Sequence, residues 1–216
     1  MAEHRSPKPG VAGSSPAAPV GVARRDLASL PPPLRGRYEL ADDVRPPAER
    51  DAPTVDEVGR RLESGIEGVL YAPATPHVDH RGSLAEIVNF DNDFWDEPIV
   101  YSYCFTIRPG RIKGWAMHRK QADRYFLCAG NVRVVLHDGR VRSPTFGAFA
   151  EFHLTEDSRG LLLIPPGVWH GDQNWGDSDA VMLNFPTLPF DSTNPDKYRI
   201  DPHSGKIPFD WSLPDG

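Results

Sequence analysis

Two histidines in apolar segments are the first candidates for chemistry. His170 lies in Gly160-Leu-Leu-Leu-Ile-Pro-Pro-Gly167-Val-Trp-His170, where a predicted strand ends in a Pro-Pro-Gly turn and another strand follows. His118 ends the run Gly114-Trp-Ala-Met-His118. A neutral imidazole can remove a proton near neutral pH or bind a metal ion. We therefore expect acid–base catalysis or metal binding here. The alternatives are a structural role on a barrel strand for His118 and a hydrogen bond to a carbonyl group for His170.

The two histidine segments resemble the paired motifs of cupins, which are β-barrels of the jelly-roll class. Metal-binding cupins place a second histidine two residues after the first, and a glutamate follows. This sequence has Lys120 at the first of those places and Asp123 or Arg124 further along. A protonated lysine cannot be a ligand, and two histidines alone make a poor metal site. We therefore predict that the protein needs no metal ion and no other cofactor.

A second set of motifs occurs in a fixed order along the chain. The segments are Asp79-His-Arg81-Gly82-Ser-Leu-Ala-Glu86, Ser143-Pro-Thr-Phe-Gly147, Pro165-Pro-Gly167-Val-Trp-His170-Gly171, and then Asp201-Pro202, Ile207 and Trp211. Together they resemble the dTDP-4-dehydrorhamnose 3,5-epimerase family over about residues 70–211. The resemblance implies proton chemistry beside a ketone, in which a histidine removes a proton α to the sugar carbonyl, a tyrosine returns one on the opposite face and a basic residue stabilises the oxyanion.

The resemblance assigns roles to individual positions. His118 matches the family's base, and His170 matches its second pocket histidine. The family reads Arg-Gly-apolar-His, whereas this chain reads Lys113-Gly-Trp-Ala-Met-His118, so we expect a bulge or an altered strand at the two extra residues. Lys113 then replaces the phosphate-binding arginine. Arg81 and Glu86 match residues that the family uses to bind the nucleotide.

The position of the family's acid tyrosine holds Asn184 in this chain. An amide cannot give a proton to an enolate carbon, so the acid would have to be His170, Tyr125 or water. We therefore predict that the protein is not an efficient 3,5-epimerase. We expect it to invert one carbon, or to use the enolate for a different isomerisation or elimination.

Other pocket positions also differ from the family pattern. The oxyanion lysine has no clear match in Gln121-Ala-Asp-Arg124-Tyr125, where Arg124 is the candidate for supplying positive charge. The aspartate that orients the histidine in the family has no clear match after Trp211. Phe190 occupies the place of a second pocket tyrosine and keeps its ring. Arg124, Tyr125 and Phe190 are therefore expected to contact the substrate.

Most of the chain that must position these residues has the pattern of short strands. From about residue 66, β-branched and aromatic runs alternate with Gly, Pro and Asp. The predicted strands are Gly68–Ala72, Leu84–Phe90, Ile99–Ile107, Lys113–His118, Tyr125–Ala129, Asn131–Asp138, Phe149–Leu154, Gly160–Ile164, Val168–Asp172 and Ala180–Phe185. Many short strands without alternating helices predict a mainly β sandwich or barrel, here a cupin jelly-roll barrel.

The chain divides by composition. The first 53 residues hold ten of the 23 prolines and few large apolar residues, so residues 1–53 are predicted to be an irregular or disordered extension. The capping box Thr54-Val-Asp-Glu57 predicts a short helix over about 55–65. We expect one cupin domain over 54–216, with the barrel at about 66–185 and an irregular coil over 186–216.

Charge and cysteine content limit the partners and the compartment. A net charge of −6 argues against non-specific nucleic-acid binding. No run approaches the roughly 18 apolar residues of a membrane span, so a membrane partner is not expected. Cys104 and Cys128 fit a reducing, cytoplasmic compartment. The segment 99–107 is apolar on both faces and, with the family's exchange of N-terminal strands, predicts a homodimer.

Three functions remain open at this point. The first is a sugar-nucleotide isomerase or epimerase that uses a histidine base on an anionic keto substrate, with a nucleoside-diphosphate keto sugar as the expected small molecule. The second is a metal-dependent cupin, an oxygenase or isomerase, that uses His118, His170 and a third ligand of unusual type. The third is a catalytically inactive relative that binds a sugar nucleotide.

Overall fold

The structure is a computed structural model that describes residues 65–89 and 93–213. The predicted extension over 1–53 lies outside these residues. So does the helix predicted for 55–65, apart from Gly65. The boundary at residue 54 therefore stays a prediction.

Short antiparallel strands form the described part of the chain. They are β1 (Leu70–Pro73), β2 (His77–Asp79), β3 (Gly82–Leu84), β4 (Tyr103–Ile107), β5 (Ile112–Met117), β6 (Asp123–Ala129), β7 (Val132–Asp138), β8 (Phe149–Leu154), β9 (Gly160–Ile164), β10 (Val168–Asn174), β11 (Ala180–Asn184) and β12 (Tyr198–Arg199). A 3₁₀ helix spans Asp93–Trp95. Within 65–89 and 93–213, no helix has the length and apolar character needed to cross a membrane.

Two five-stranded sheets make up the barrel. One has the order β1-β9-β6-β11-β4, the other has the order β12-β5-β10-β7-β8, and β2 pairs with β3 in a separate hairpin. The prediction of a mainly β cupin jelly-roll is confirmed. Because jelly rolls stack two antiparallel sheets, the side chains on their inner faces meet in one core.

The main core lies between the two sheets. Val134 and Leu136 of β7 are 0% exposed and belong to the same apolar cluster as Leu127 of β6 and Leu162 of β9. Side chains alternate between the two faces of a strand, so every second residue of these strands lies on the inner face. This core holds in place the strands that carry the candidate site residues.

The predicted strand over 84–90 is wrong. Leu84 ends the β2–β3 hairpin, and residues 85–89 form no strand. Their apolar side chains, including Ile87 and Val88, instead pack against the cluster around Phe94 and Trp95. An apolar run can therefore satisfy burial without joining a sheet. The predicted strand at 99–107 is also shorter, because only Tyr103–Ile107 pairs with β11.

The described segment after Pro186, up to residue 213, is mainly coil and includes β12. Tyr198 and Arg199 pair with Met117 and Ala116 of β5. This pairing places the coil beside the end of β5, where His118 follows. Residues late in the chain are therefore brought next to the candidate base.

Candidate active site

The two predicted histidines lie on neighbouring strands of the same sheet. His170 of β10 is in register with Ala116 of β5, and His118 directly follows β5. Between the His170–Ala116 pair and the Asp172–Lys113 pair, β5 has one residue more than β10. This irregularity agrees with the bulge expected from the two extra residues in that segment.

A close approach of the two backbones requires a glycine in β5. A Cβ atom at Gly114 would lie 2.6 Å from the Cα atom of Gly171. Real Cβ atoms do not make such contacts, so a larger residue would push β5 and β10 apart. Gly114 thereby allows the strands that carry His118 and His170 to pack closely.

Asp123 joins the two histidines into one buried cluster. Its Oδ2 atom lies 3.3 Å from Nε2 of His118 and 3.6 Å from Nε2 of His170. The side chain of Asp123 is 1% exposed, and those of the two histidines are 8% and 4% exposed. The imidazole rings stack with centroids 5.7 Å apart. A carboxylate in this position can share a proton with either ring.

The cluster shifts the pKa of each member. Burial opposes ionisation of Asp123, but the hydrogen bond from His118 and the charges of both histidines lower its pKa to about 2. Burial also opposes the cation of His118, but the bond and charge of Asp123 raise its pKa. Burial dominates at His170 and lowers its pKa to about 4. At neutral pH, His118 is therefore the ring that gains a proton more readily.

Asp196 holds His118 from the other side. The backbone carbonyl of Asp196 contacts Nδ1 of His118, and because a carbonyl only accepts, Nδ1 carries the proton. The Asp196 carboxylate accepts the backbone N–H groups of Arg119, Lys120 and Gln121 at 3.0, 2.7 and 3.1 Å. Asp196 of the coil thus fixes both the ring of His118 and the segment that follows it.

Two adjoining cavities open at this cluster. The inner cavity, of about 220 Å³, is lined by Tyr103, Phe105, Lys113, Gly114, Ala116, His118, Asp123, Tyr125, His170, Asp172, Lys197 and Arg199. The outer cavity, of about 480 Å³, is lined by Tyr101, Tyr103, His118, Lys120, Gln121, Pro186, Leu188, Pro189, Phe190, Asp191, Asn194, Asp196 and Lys197. Tyr103, His118 and Lys197 line both, so they mark the junction.

The inner cavity contains a second buried carboxyl group. Asp172 is 3% exposed, and burial together with the charge of Asp123 raises its pKa to about 8, although Lys197 and Lys113 oppose the shift. Burial and the charge of Asp172 also raise the pKa of Tyr125. Burial lowers the pKa of Lys197. Burial therefore favours the neutral forms of Asp172 and Tyr125, and Lys113 and Lys197 line the same cavity.

Most of the predicted site residues lie at or beside these cavities. His118, His170, Lys113 and Tyr125 line the inner cavity, and Phe190 lines the outer one. Asn184 is fully buried next to the wall, where its amide contacts the hydroxyl group of Tyr103.

The structure corrects the role expected of Arg124. Its side chain donates to the carbonyl groups of Phe185, Glu97 and Pro98, and its guanidinium stacks 4.8 Å from the ring of Trp95. It lines neither cavity. The reason is strand alternation, since Asp123 and Tyr125 point into the cavity and the residue between them points to the other face. Arg124 stabilises the fold.

Arg81 and Glu86 also lie apart from the two cavities. Arg81 is on the β2–β3 hairpin and pairs with Asp79, and its side chain is 78% exposed. Glu86 lines a different cavity and accepts a hydrogen bond from Asn89. Within one chain, neither residue is brought to His118.

The cluster also has the composition of a metal site. One ligand atom from each of His118, Asp123 and His170 lies within 4.8 Å of the other two. Two imidazoles and one carboxylate are a donor set that holds iron or zinc in other proteins. The sequence indicated Asp123 only as one of two residues, the other being Arg124, that follow the first cupin motif. Its position between the rings depends on the fold.

Comparison with known proteins places this geometry in a family. The sequence model of the dTDP-4-dehydrorhamnose 3,5-epimerase family matches residues 63–213. This chain belongs to that family. The matched range includes both sheets and the part of the coil that contacts His118, so the resemblance of the motifs is confirmed.

Individual relatives support the same assignment. The chain is 35% identical over 147 residues to the spore coat polysaccharide biosynthesis protein SpsL of Bacillus subtilis (strain 168), covering 68% of this chain and 97% of SpsL. It is 32% identical over 137 residues to a protein of Haloferax volcanii named "Probable low-salt glycan biosynthesis epimerase Agl13", covering 63% and 88%. A dTDP sugar isomerase structure from Desulfovibrio desulfuricans G20 matches with a TM-score of 0.65 and 28% identity, over 71% of this chain and 97% of that one.

Proposed function

We propose that this protein is an epimerase or isomerase of a nucleoside-diphosphate 4-keto sugar, and that His118 removes the proton α to the carbonyl group. The observation that carries the proposal is the His118–Asp123 pair at the junction of the two cavities. Membership of an epimerase family supports the reaction class. The relatives named for glycan and coat polysaccharide synthesis support a sugar substrate.

The contacts of His118 account for its role as a base. With Nδ1 donating to the Asp196 carbonyl, the neutral ring has its lone pair on Nε2, so Nε2 takes the proton from the substrate and donates to Asp123 once the imidazolium has formed. The carboxylate of Asp123, 3.3 Å from Nε2, stabilises the imidazolium that forms. The electrons of the broken C–H bond move to the carbonyl oxygen, and Lys197 supplies positive charge near the resulting enolate.

The two cavities fit the two parts of such a substrate. The inner cavity, with its polar groups, is proposed to hold the sugar beside His118 and His170. The outer cavity is more than twice as large and offers the ring of Phe190 and the charge of Lys120 to the nucleotide. Lys113 of the inner cavity is placed to bind an anionic group.

Proton exchange in D₂O tests the reaction class. The protein is incubated with dTDP- or UDP-linked 4-keto-6-deoxy sugars, and deuterium in the sugar is followed by NMR and mass spectrometry. We expect deuterium at one carbon, and loss of the exchange in His118→Gln. The exposed His203 lies outside both cavities, so His203→Gln is the matched control and should exchange normally. Intact binding without any exchange would contradict the proposal and favour an inactive binding protein.

A metal-dependent reaction is the second candidate function. The observation that favours it is the His118, Asp123 and His170 cluster, which supplies the third ligand that the sequence motifs lacked. Metal analysis of the purified protein, followed by activity assays with and without a chelator, separates the two candidates. Stoichiometric metal and activity that is lost to the chelator would favour the metal enzyme.

We also propose that the protein is a cytoplasmic homodimer. Among the strands that the structure describes, β4 lies at the edge of its sheet, and Val100 just before it is 49% exposed. Val78 and Leu84 of the β2–β3 hairpin are 73% and 62% exposed. Apolar edges of this kind favour association. The free thiol of the exposed Cys104 fits a reducing compartment.

Dimer formation would also give Arg81 a binding role. The resemblance implies exchange of N-terminal strands, and the exposed hairpin could then bring Arg81 to the nucleotide in a partner chain. Light scattering at micromolar concentration tests the dimer directly. A monomer at that concentration would contradict this part of the proposal.

A further inference from the structure

The amide of Asn184 has a fixed orientation. Its Oδ1 atom accepts the backbone N–H of Arg124 at 3.0 Å, and a backbone N–H can only donate. The NH₂ group must therefore be at the other end, where Nδ2 donates to the hydroxyl oxygen of Tyr103 at 2.9 Å. Asn184 is 0% exposed, so water does not compete for this bond.

The hydroxyl proton of Tyr103 is not used in that bond. Because Asn184 donates, the Tyr103 oxygen accepts, and its own proton points elsewhere. Among the residues that the structure describes, no acceptor for this proton is found within hydrogen-bond distance. Tyr103 lines both cavities, so the proton is available to a bound molecule.

Tyr103 and His118 reach the cavity junction from different sheets. Tyr103 is on β4 of the β1-β9-β6-β11-β4 sheet, whereas His118 follows β5 of the other sheet. Groups on facing sheets can contact opposite faces of a sugar ring between them. Inversion of a carbon requires this arrangement, because the proton leaves one face and returns to the other.

Tyr103 supplies a hydroxyl group that Asn184 lacks, and it does so from the neighbouring strand. Asn184 of β11 and Tyr103 of β4 are partners in the antiparallel register. A hydroxyl that a tyrosine at 184 would offer from β11 is offered here by the neighbouring strand. The other acids considered are less accessible, since burial keeps Tyr125 beside Asp172 and His170 beside Asp123.

We propose that Tyr103 is the catalytic residue that protonates the enolate, and that Asn184 is the positioning residue that holds its hydroxyl group. This proposal rests on the proposed function. The O–H bond of Tyr103 breaks, a C–H bond forms at the enolate carbon, and the carbonyl group is restored. The phenolate accepts the hydrogen bond from Asn184 Nδ2 and then regains a proton from solvent.

The state of the hydroxyl group is consistent with this role. Burial and the charge of Asp123 raise the pKa of Tyr103 to about 12, while the bond from Asn184 lowers it. The hydroxyl is therefore protonated at neutral pH and able to donate. Removing the Asn184 donor would make the phenolate harder to form.

The test separates proton removal from proton return. With the keto sugar nucleotide in D₂O, Tyr103→Phe should still exchange the α-proton through His118, with the original configuration kept. Formation of the epimer should fall by about 10²–10⁴-fold, the usual contribution of a general acid. Asn184→Ala should lower the ratio of inversion to exchange in the same direction, whereas a variant that is merely unstable would lower both rates together.

The controls distinguish the possible failures. Tyr71 donates its hydroxyl to the Ser158 carbonyl and lines neither cavity, so Tyr71→Phe should leave both rates unchanged. Inversion at the wild-type rate in Tyr103→Phe, or equal loss of exchange and inversion in that variant while its melting temperature is unchanged, would overturn the role of Tyr103 alone. A wild-type protein that binds the sugar but neither exchanges nor inverts would overturn the proposed function and this proposal with it.

Discussion

Removal of the Asp196 side chain tests how the base is held in place. In Asp196→Ala the three backbone N–H groups of Arg119, Lys120 and Gln121 lose their acceptor. The backbone carbonyl that contacts His118 remains, but the coil around residue 196 is no longer bonded through this side chain to residues 119–121. We therefore expect a small loss of stability and a larger loss of activity.

The magnitude follows from the geometry. Net hydrogen bonds contribute about 0.5–1.5 kcal/mol each, and because Asp196 is half-buried the lower end applies, giving about 1.5 kcal/mol for the three. For a chain of this size that corresponds to a fall of about 3–6 °C in Tm. A shift of about 1 Å in the position of a catalytic group can cost about 10²-fold in rate, so kcat/KM should fall by about that factor.

The pH dependence of stability has a definite sign. Burial opposes ionisation of Asp196, but the three backbone N–H groups lower its pKa below the reference value of 3.8. The stability that they contribute is present above that value and is lost as the pH falls through the folded-state pKa. The difference in Tm between the wild-type protein and Asp196→Ala should therefore begin to shrink below about pH 4 and disappear only below the folded-state pKa of Asp196.

The assays are thermal unfolding and α-proton exchange of the keto sugar, measured on the same preparations. Asp210 also accepts bonds from a loop, through the backbone N–H and hydroxyl of Ser212, but it lines neither cavity at His118. Asp210→Ala is therefore the matched control. The reasoning fails if Asp196→Ala keeps the wild-type kcat/KM, or if Asp210→Ala loses as much activity.

Four further variants test other parts of the structure. Asp123→Asn should lower kcat by about 10²–10⁴-fold in the exchange assay with little change in KM, because the imidazolium of His118 loses its counter-charge; an unchanged kcat would remove Asp123 from the mechanism. Arg124→Met should lower the free energy of unfolding by at least about 2 kcal/mol in denaturant titrations, since three carbonyl groups lose their donor, and sugar-nucleotide binding by the folded fraction should not change. If Arg81 binds the nucleotide in the proposed dimer, Arg81→Ala should weaken calorimetric binding of the diphosphate sugar by about tenfold, and equal affinity would place the diphosphate elsewhere. Burial opposes ionisation of Asp138, but hydrogen bonds from its neighbours, that of Arg140 first, hold its pKa well below 3.8. Wild-type stability should therefore decline in acid below about pH 4, and pH-dependent unfolding of Asp138→Asn should show a flatter profile.

The strands of the barrel were largely predictable from local pattern. The bounds of β8 and β9 agree with the prediction at both ends, because each apolar run is closed by polar or turn-forming residues. The β2–β3 hairpin was not predicted. Its strands are three residues long and exposed, so they carry no apolar alternation. The pairing of β12 with β5 depends on tertiary contacts that no local pattern records.

The site was predictable only where a motif marked it. His118 and His170 stand in recognisable segments, and both line the inner cavity. Asp123 and Arg124 were assigned less well because the predicted strand began at Tyr125, whereas β6 begins at Asp123. With the correct start, alternation places Asp123 on the same face as Tyr125 and turns Arg124 away.

Tyr103 and Asp196 had no such signal. Tyr103 belongs to the site because β4 pairs with β11. This pairing brings together Tyr103 and Asn184, which are 81 positions apart in the sequence. Asp196 lies in a segment whose apolar residues follow no regular period, 78 positions after His118. Contacts at these separations are fixed by the order of strands in the sheets, which the sequence motifs did not specify.

The separation between His118 and Asp196 has a consequence during protein synthesis. All strands of one sheet, and four of the five in the other, are complete once Asn184 has been added. Asp196 is translated later, and only then can its carbonyl meet the ring of His118. The orientation of His118 therefore depends on a segment that is synthesised after every strand of the two sheets except β12. A chain that stops before Asp196 would contain those strands and lack the group that holds the His118 ring.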